Sequence, residues 1–140
     1  MNKFTLVFTL SFIILLSGCY SSNGKLANKM IEKYSDDQNY VVLTGEIVGH
    51  NNNQTIIKCE ELKKHIKYQS DICKYYIHSE YPLELSVGDI IEFSTVPYHF
   101  YNGHKLPIVE LKKNGEILLG FEEGKSNLLD WVNKTFADDV

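Results

Sequence analysis

Two cysteines and two histidines in the middle of the chain have a spacing that permits two kinds of chemistry. Cys59 and Cys73 each lie seven positions from Ile66. An antiparallel hairpin centred on Ile66 places them directly opposite each other, within reach of a disulfide that would stabilise the fold by ~3 kcal/mol. The alternatives are two buried thiols, or a metal site that adds His65 and His78, whose spacings match no common zinc pattern. We predict the disulfide and no metal.

A second group of side chains, which suits ligand binding, surrounds the Asn-Gly pair at residues 102–103. Tyr98, Phe100 and Tyr101 precede the pair, and His104 follows it. Because Asn-Gly favours the left-handed backbone of a tight turn, we expect an exposed hairpin tip there. Exposed aromatic rings stack on sugar rings, bases or partner side chains. We predict that these four residues bind a ligand; the alternative is that alternate rings pack into the core.

No group of side chains in the sequence indicates catalysis. The carboxylates occur as adjacent pairs, Glu60-Glu61, Glu122-Glu123 and Asp138-Asp139, and adjacent side chains point apart on helices and strands. The sequence contains neither a Gly-x-Ser-x-Gly nor a His-Glu-x-x-His motif, which mark common hydrolases. A metal bound between His99 and His104 is an alternative that we do not favour. We predict that the protein is not an enzyme and uses no cofactor.

The third cysteine, Cys19, ends a different kind of motif. Asn2 and Lys3 precede an apolar run, Phe4–Leu16, which continues as Leu16-Ser17-Gly18-Cys19. This resembles the signal peptide and lipobox of bacterial lipoproteins, and the run is too short for a transmembrane helix. The resemblance implies cleavage before Cys19 and acylation of that residue, with two or more chains for stable anchoring. We assign residues 1–18 to the signal peptide and 19–24 to a tether.

The charge balance argues against nucleic-acid binding. The 18 acidic residues outnumber the 14 basic ones, all of which are lysines. Arginine is the preferred side chain for phosphates and base edges, so an acidic domain without arginine is a poor candidate for a nucleic-acid partner. Export also places the domain in a compartment that is oxidising in many bacteria, where a disulfide is allowed.

The hydrophobic periodicity predicts one domain over residues 25–140, with a helix at each end of a set of strands. Two Asn-Gly pairs, at 102–103 and 114–115, predict a meander of three strands, and Gly45 suggests a bulge or bend in a long first strand. The predicted elements are a helix at 25–35, strands at 40–49, 55–59, 72–78, 90–101, 104–113 and 116–121, and a final helix capped by Ser126.

The segment from Val87 to Leu111 resembles the latter half of an OB-fold barrel. Val-Gly-Asp at 87–89 enters one strand, and an aromatic Asn-Gly turn leads to the next. The resemblance implies a mainly β fold: a small OB-like barrel of about five to six strands with an N-terminal and a C-terminal helix. OB-folds often bind ligands on strands two and three and on the loops joining strands one–two and four–five. In this chain those places are Asn51–Gln54, the face of 56–77, and Tyr98–His104.

Together these features predict a lipid-anchored binding protein of the bacterial cell envelope. It would hold a protein partner or a small envelope ligand, facing the periplasm or the exterior. Tyr20 after the lipidated cysteine, in place of Asp, permits sorting to the outer membrane in a cell with two membranes. The alternatives are a structural subunit of an envelope assembly, or an inhibitor that protects against a toxin or hydrolase.

Overall fold

The structure, a computed structural model, describes residues 22–136. The predicted signal peptide at 1–18, the lipobox Leu16–Cys19 and the start of the predicted tether lie outside the described residues. Their assignment therefore stays a prediction from sequence. Within residues 22–136, no helix combines the length and the apolar character needed to cross a bilayer.

The described chain is mainly β, with one helix before the strands and one after them. The first helix begins at Ser22, so the last three residues of the predicted tether are helical. The elements are α1 (Ser22–Ser35), a 3-10 helix (Asp37–Asn39), β1 (Val41–Asn51), β2 (Gln54–Lys58), a 3-10 helix (Glu60–Lys64), β3 (Ile72–Ile77), β4 (Ile90–Thr95), β5 (Leu106–Ile108), β6 (Glu110–Lys113), β7 (Glu116–Leu119) and α2 (Phe121–Phe136).

All seven strands form one curled sheet in the order β5-β3-β2-β1-β4-β6-β7. Only Val109 separates β5 from β6, so these two strands are one kinked segment. The first half of that segment pairs parallel with β3, and the second half pairs antiparallel with β4. The two pairings close the sheet into a barrel with the Greek-key arrangement of an OB-fold. The predicted fold class is confirmed; the seventh strand arises because the kink at Val109 divides one predicted strand in two.

One of the two predicted Asn-Gly hairpins is confirmed and the other is wrong. Asn114 and Gly115 have φ values of 54° and 78° and join β6 to β7 as a tight antiparallel hairpin. Asn102-Gly103 lies in a loop, because β4 ends at Thr95 and the following segment pairs with β3 instead. Pro97, two residues after the end of β4, has no N–H to donate to a continued strand pairing.

The long first strand is bulged, although not at the glycine that suggested it. The register with β2 shifts between Ile47 and Gly49, which leaves Val48 as the extra residue. Gly45 serves a different purpose: a Cβ there would lie 2.5 Å from Cγ2 of Ile57. Gly45 therefore lets β2 cross close to β1, and the barrel curves at this point.

The barrel interior and the helices form two separate apolar clusters. The barrel core includes Phe93 and Tyr75, whose rings meet edge to face at 5.1 Å. The second cluster lies between the helices and the barrel wall; it contains Ala27, Met30, Tyr34, Val96, Val109, Leu128 and Val132. Val109, at the kink between β5 and β6, turns its side chain out of the barrel and into this second cluster.

The C-terminal helix begins earlier than predicted because a glycine allows it to lie on the barrel. We expected a start at Ser126, but α2 begins at Phe121, and Ser126 is an exposed position inside the helix. Gly124 is buried, and a Cβ there would lie 1.9 Å from the carbonyl oxygen of Val109. Glycine therefore sets the distance between α2 and the strand, which positions the rest of the helix.

Candidate functional site

The two core cysteines are not opposite each other, so the predicted disulfide pairing is wrong. Cys73 pairs with Ile57 across β2 and β3, and the N–H of Cys59 donates to the carbonyl of Asp71, 2.6 Å away. Cys59 and Cys73 are thus diagonal neighbours, at a separation of roughly 7–8 Å, which exceeds disulfide reach. Both thiols are free. The register differs because the connection contains the 3-10 helix Glu60–Lys64 in place of a symmetric hairpin.

The Cys-His metal alternative is not assembled either. His65 is exposed on the connection, whereas His78 is buried beyond the end of β3. In the described part of the chain, no group of three or more histidine, cysteine or acidic side chains is placed to hold a metal ion. Burial raises the pKa of both the Cys59 and the Cys73 thiol, so each keeps its proton and reacts poorly.

The predicted binding residues lie on one loop, residues 96–105, which we call the aromatic loop, but they do not share one face. Tyr98 is 46% exposed and lies on the α1 side, with Nζ of Lys33 4.5 Å above its ring. Tyr101 is 40% exposed and approaches Phe136 of α2, with ring centroids 6.1 Å apart. Phe100 is half-buried between the two sides. The loop therefore packs against both helices.

His104 is the buried member of the aromatic loop. It is 5% exposed, and its Nε2 lies 3.1 Å from the hydroxyl of Tyr34. Burial raises the pKa of Tyr34 far above its ordinary value, so the hydroxyl keeps its proton. Donation of that proton to Nε2 gives the buried hydroxyl an acceptor, which assigns the ring proton of His104 to Nδ1. This Nδ1 has no hydrogen-bond partner among the described residues.

His99, on the other side of the turn, has a structural role. Its Nδ1 lies 3.1 Å from the carbonyl oxygen of His104, and its Nε2 lies 2.9 Å from Oε1 of Gln69. Both partner atoms are oxygens, and a neutral imidazole carries one N–H, so the ring donates to one of them while lying between the aromatic loop and the β2–β3 connection. A metal site between His99 and His104 is not assembled, because among the described residues no group of three or more potential ligands forms there.

A cavity of about 190 Å³ opens where the aromatic loop, β3 and α2 meet. We call it the aromatic cavity, because six of its ten lining residues are tyrosine, histidine or tryptophan. Its lining residues are Tyr34, Gln54, Tyr76, His78, Tyr101, Gly103, His104, Lys105, Pro107 and Trp131. Two predicted binding residues, Tyr101 and His104, belong to it, whereas Tyr98 and Phe100 line a separate depression beside α1.

His78 forms part of the cavity wall together with rings from β3 and α2. Its ring centroid is 4.9 Å from that of Tyr76 and 5.3 Å from that of Trp131. Burial, and secondarily the proximity of His104, lowers the pKa of His78 to about 3. Burial likewise lowers the pKa of His104 to about 4, with His99 as a smaller cause. Both histidines are consequently neutral at pH 7 and act as hydrogen-bonding groups without charge.

Strand alternation and one long-range hydrogen bond explain how these rings meet. Tyr75 points into the barrel core, so its neighbour Tyr76 points outward. Asn127 of α2 donates from Nδ2 to the carbonyl of His78 over 3.0 Å, which holds Trp131, one turn further along, over Tyr76. The alternation in β3 signalled the outward Tyr76, but no local pattern revealed that α2 docks on it.

A second depression of about 300 Å³ continues from the aromatic cavity along β1 and β2, and shares Gln54 and Lys105 with it. We call it the basic depression. Its lining residues are Gly49, His50, Asn51, Gln54, Thr55, Ile56, Lys74 and Lys105. OB-folds often bind ligands at three regions, which here are the β1–β2 loop, strands β2 and β3, and the aromatic loop. All three regions contribute residues to these two adjoining hollows.

Comparisons with known proteins add little about function. No protein-family model matches the chain, and no curated protein matches it. A solved structure titled "Crystal structure of Ag(I)CusF" is similar to it, with 16% identity and a TM-score of 0.40. The similarity covers 54% of this chain and 97% of that one. At this identity and score the likeness carries nothing about ligands.

Proposed function

We propose that this chain is a lipid-anchored binding protein of the bacterial cell envelope, and that the aromatic cavity is where it holds its partner or ligand. The observation that carries the proposal is the convergence of Tyr76, Tyr101 and Trp131 with two neutral histidines around one open hollow. Binding sites are typically concave and aromatic, with a few convergent polar groups. The membrane anchor comes from the lipobox Leu16–Cys19 of the sequence.

The lining of the cavity supports binding over catalysis. None of its ten lining residues is serine, cysteine, aspartate or glutamate. His78 and His104 therefore have no serine, cysteine or carboxylate partner in the lining, and a serine or cysteine nucleophile needs such a base within hydrogen-bond reach. Their lowered pKa values also leave them weak bases at pH 7.

The position of the cavity suits an anchored protein. The predicted tether before Ser22 is only a few residues long, so the membrane and α1 are neighbours. Tyr34, near the end of α1, forms part of the cavity wall. Tyr34 lies twelve residues after Ser22, a rise of ~18 Å along the helix, so a partner or ligand held in the cavity would stand about that far from the anchored end of α1.

The proposal is tested by photo-crosslinking in the cells that make the protein. A photoreactive phenylalanine analogue at Tyr101, which lines the cavity, is compared with the same analogue at Tyr68, which is 93% exposed and does not line the cavity. We expect a discrete adduct, visible by mass spectrometry, at position 101 and none at 68. Equal labelling at both positions, or no adduct at 101, would contradict the proposal.

The anchor is tested separately. Cys19→Ala should block acylation and leave the signal peptide attached, while wild-type protein should begin at an acylated Cys19. Mass spectrometry of both purified forms decides this. An unmodified Cys19, or a mature chain that starts elsewhere, would remove the lipid-anchored part of the proposal and leave the cavity to be judged on its own.

A structural subunit of an envelope assembly is the second candidate function. The strand β7 lies at the end of the sheet order and pairs only with β6 among the described residues. Its Ile117 is 60% exposed. A free edge of this kind is a template for pairing with another strand. A discrete monomer in size-exclusion chromatography, measured in mild detergent, would count against this second function.

A further inference from the structure

We propose that the aromatic cavity takes a small aromatic anion, a single-ring planar carboxylate. Its ring would lie among the side chains of Tyr76, Tyr101 and Trp131, and its carboxylate would be held by Lys105. This inference rests on the proposed function and deepens it, because it names the chemical class of the ligand.

The size and walls of the cavity favour one flat ring. A volume of about 190 Å³ equals that of about six water molecules in the liquid and is smaller than the pockets that take drug-sized ligands. The rings of Tyr76 and Trp131 are close to parallel, with an interplanar angle of 21° and centroids 6.2 Å apart. Aromatic pairs prefer offset stacking or edge-to-face contact. A ligand ring in the cavity could contact the wall rings in either of these two geometries.

The charges around the cavity favour an anion. Lys105 is the single charged residue in its lining, and Lys74 follows in the adjoining basic depression. Neither hollow is lined by a carboxylate, although acidic residues outnumber basic ones in the chain. Glu80 and Asp130 line a third depression, which adjoins the cavity on the side of Tyr76, His78 and Trp131 and also contains Lys134. The carboxylates therefore lie on the opposite side of these rings from Lys105. A cavity lined by aromatic rings alone would attract a cation. In this cavity the positive charge of Lys105 would repel a cationic ligand.

Lys105 gives the carboxylate its anchoring point. It follows directly on His104 in the cavity wall, and its ammonium group can donate a charge-assisted hydrogen bond to a carboxylate oxygen. Nδ1 of His104 has no partner among the described residues but is closed off from solvent, so His104 contributes to the wall of the cavity and not to the anchoring of the charge.

The test compares three nearly isosteric planar molecules that differ in charge: benzoate, benzamide and benzamidine. Calorimetric titration of the purified lipoprotein in mild detergent at pH 7 should show benzoate binding about tenfold more tightly than benzamide. Benzamidine should bind most weakly. Equal affinity for all three, or tighter binding of benzamide or benzamidine than of benzoate, would overturn the inference.

Two lysine variants test whether the positive charge that binds benzoate is that of Lys105. Lys105→Gln should weaken benzoate binding about tenfold and leave benzamide binding unchanged. Lys112→Gln is the control, because Lys112 lies on β6 beside Glu92, outside the cavity, and should change neither. Unaltered benzoate affinity in Lys105→Gln would overturn the inference.

The two proposals fail in distinguishable ways. If none of the three molecules binds while the photoreactive residue at position 101 still gives its adduct, the aromatic-anion inference is wrong and the binding function stands. If the adduct at position 101 is absent as well, the proposed function is lost with it.

Discussion

The hydroxyl of Tyr34 lies 3.1 Å from Nε2 of His104, although the two residues are 70 positions apart in the chain. Tyr34 belongs to α1 and is fully buried, while His104 ends the turn of the aromatic loop. This single hydrogen bond joins α1 to the loop that forms the cavity. It also fixes the tautomer of His104, whose ring proton then lies on Nδ1.

Tyr34→Phe should lower the free energy of unfolding by ~1–3 kcal/mol. The change removes the hydroxyl and leaves Nε2 of His104 buried without its donor, and an unsatisfied buried polar atom costs about that much. Urea denaturation followed by circular dichroism measures the loss. Tyr81→Phe is the control, because Tyr81 is 70% exposed, and should leave stability unchanged. Equal midpoints for Tyr34→Phe and wild type would show that the bond contributes nothing.

Gly124→Ala should destabilise the protein although alanine is the better helix former. The added Cβ would lie 1.9 Å from the backbone oxygen of Val109, so α2 must move off the barrel, and overpacking of this kind costs ~1–3 kcal/mol. Ser126→Ala is the matched control on the same helix; it is exposed and should be neutral or slightly stabilising. Thermal melts of both variants decide the matter. A Gly124→Ala protein as stable as the control would contradict the close packing of α2.

Stability should fall as the pH drops from 6.5 to 5. Burial holds the pKa of His78 at about 3 and that of His104 at about 4, below the ordinary ~6.5 of the unfolded chain. The unfolded state therefore binds more protons in this window, and the stabilising contribution, complete above pH 6.5, is lost as the pH falls toward the folded values. We expect a decrease of roughly 1–3 kcal/mol over this range.

Histidine variants assign that pH dependence. His104→Gln should flatten the plot of unfolding free energy against pH, whatever its effect on absolute stability. His65→Gln, at an exposed histidine, should leave the slope as in wild type. A slope that persists in a His78→Gln, His104→Gln double variant would show that other groups cause it.

The two core thiols should be present and unreactive in the folded protein. Cys59 and Cys73 are 1% and 8% exposed, and burial raises the pKa of each, so the reactive thiolate is scarce. Alkylation should be negligible in buffer and complete after unfolding in urea. A Cys59–Cys73 cross-link in non-reducing peptide maps would contradict the observed β2–β3 register.

The fold could be predicted well because the patterns that indicate its strands and turns involve residues close together in the sequence. The alternation in β2 and β3, the Asn114-Gly115 turn and the long first strand each specify neighbouring residues. The strands, the second hairpin and a helix at each end followed from those patterns, whereas the OB-like barrel was what the resemblance of residues 87–111 implied. The register of Cys59 and Cys73 could not be predicted in this way, because the short 3-10 helix in the thirteen-residue connection between β2 and β3 shifts the strand pairing and has no periodic pattern in the sequence.

The site was predicted only in part because it is assembled from distant segments. The aromatic loop was recognisable from Tyr101 and His104 beside an Asn-Gly pair. Its partners in the cavity are Tyr34, His78 and Trp131, from α1, the end of β3 and α2. Their contacts depend on how α2 docks at Gly124 and Val109, a long-range packing relationship that periodicity does not encode.

Removing the ring of Tyr101 tests the central claim, that the aromatic cavity is a binding site, most directly. Tyr101 is 40% exposed, so Tyr101→Ala should change the melting temperature little. We predict that it weakens binding of the partner or ligand identified by crosslinking by ~1–3 kcal/mol, the scale of a stacking contact or hot spot. A large fall in melting temperature with binding intact would contradict the account, because the ring would then belong to the core and the binding face would lie elsewhere.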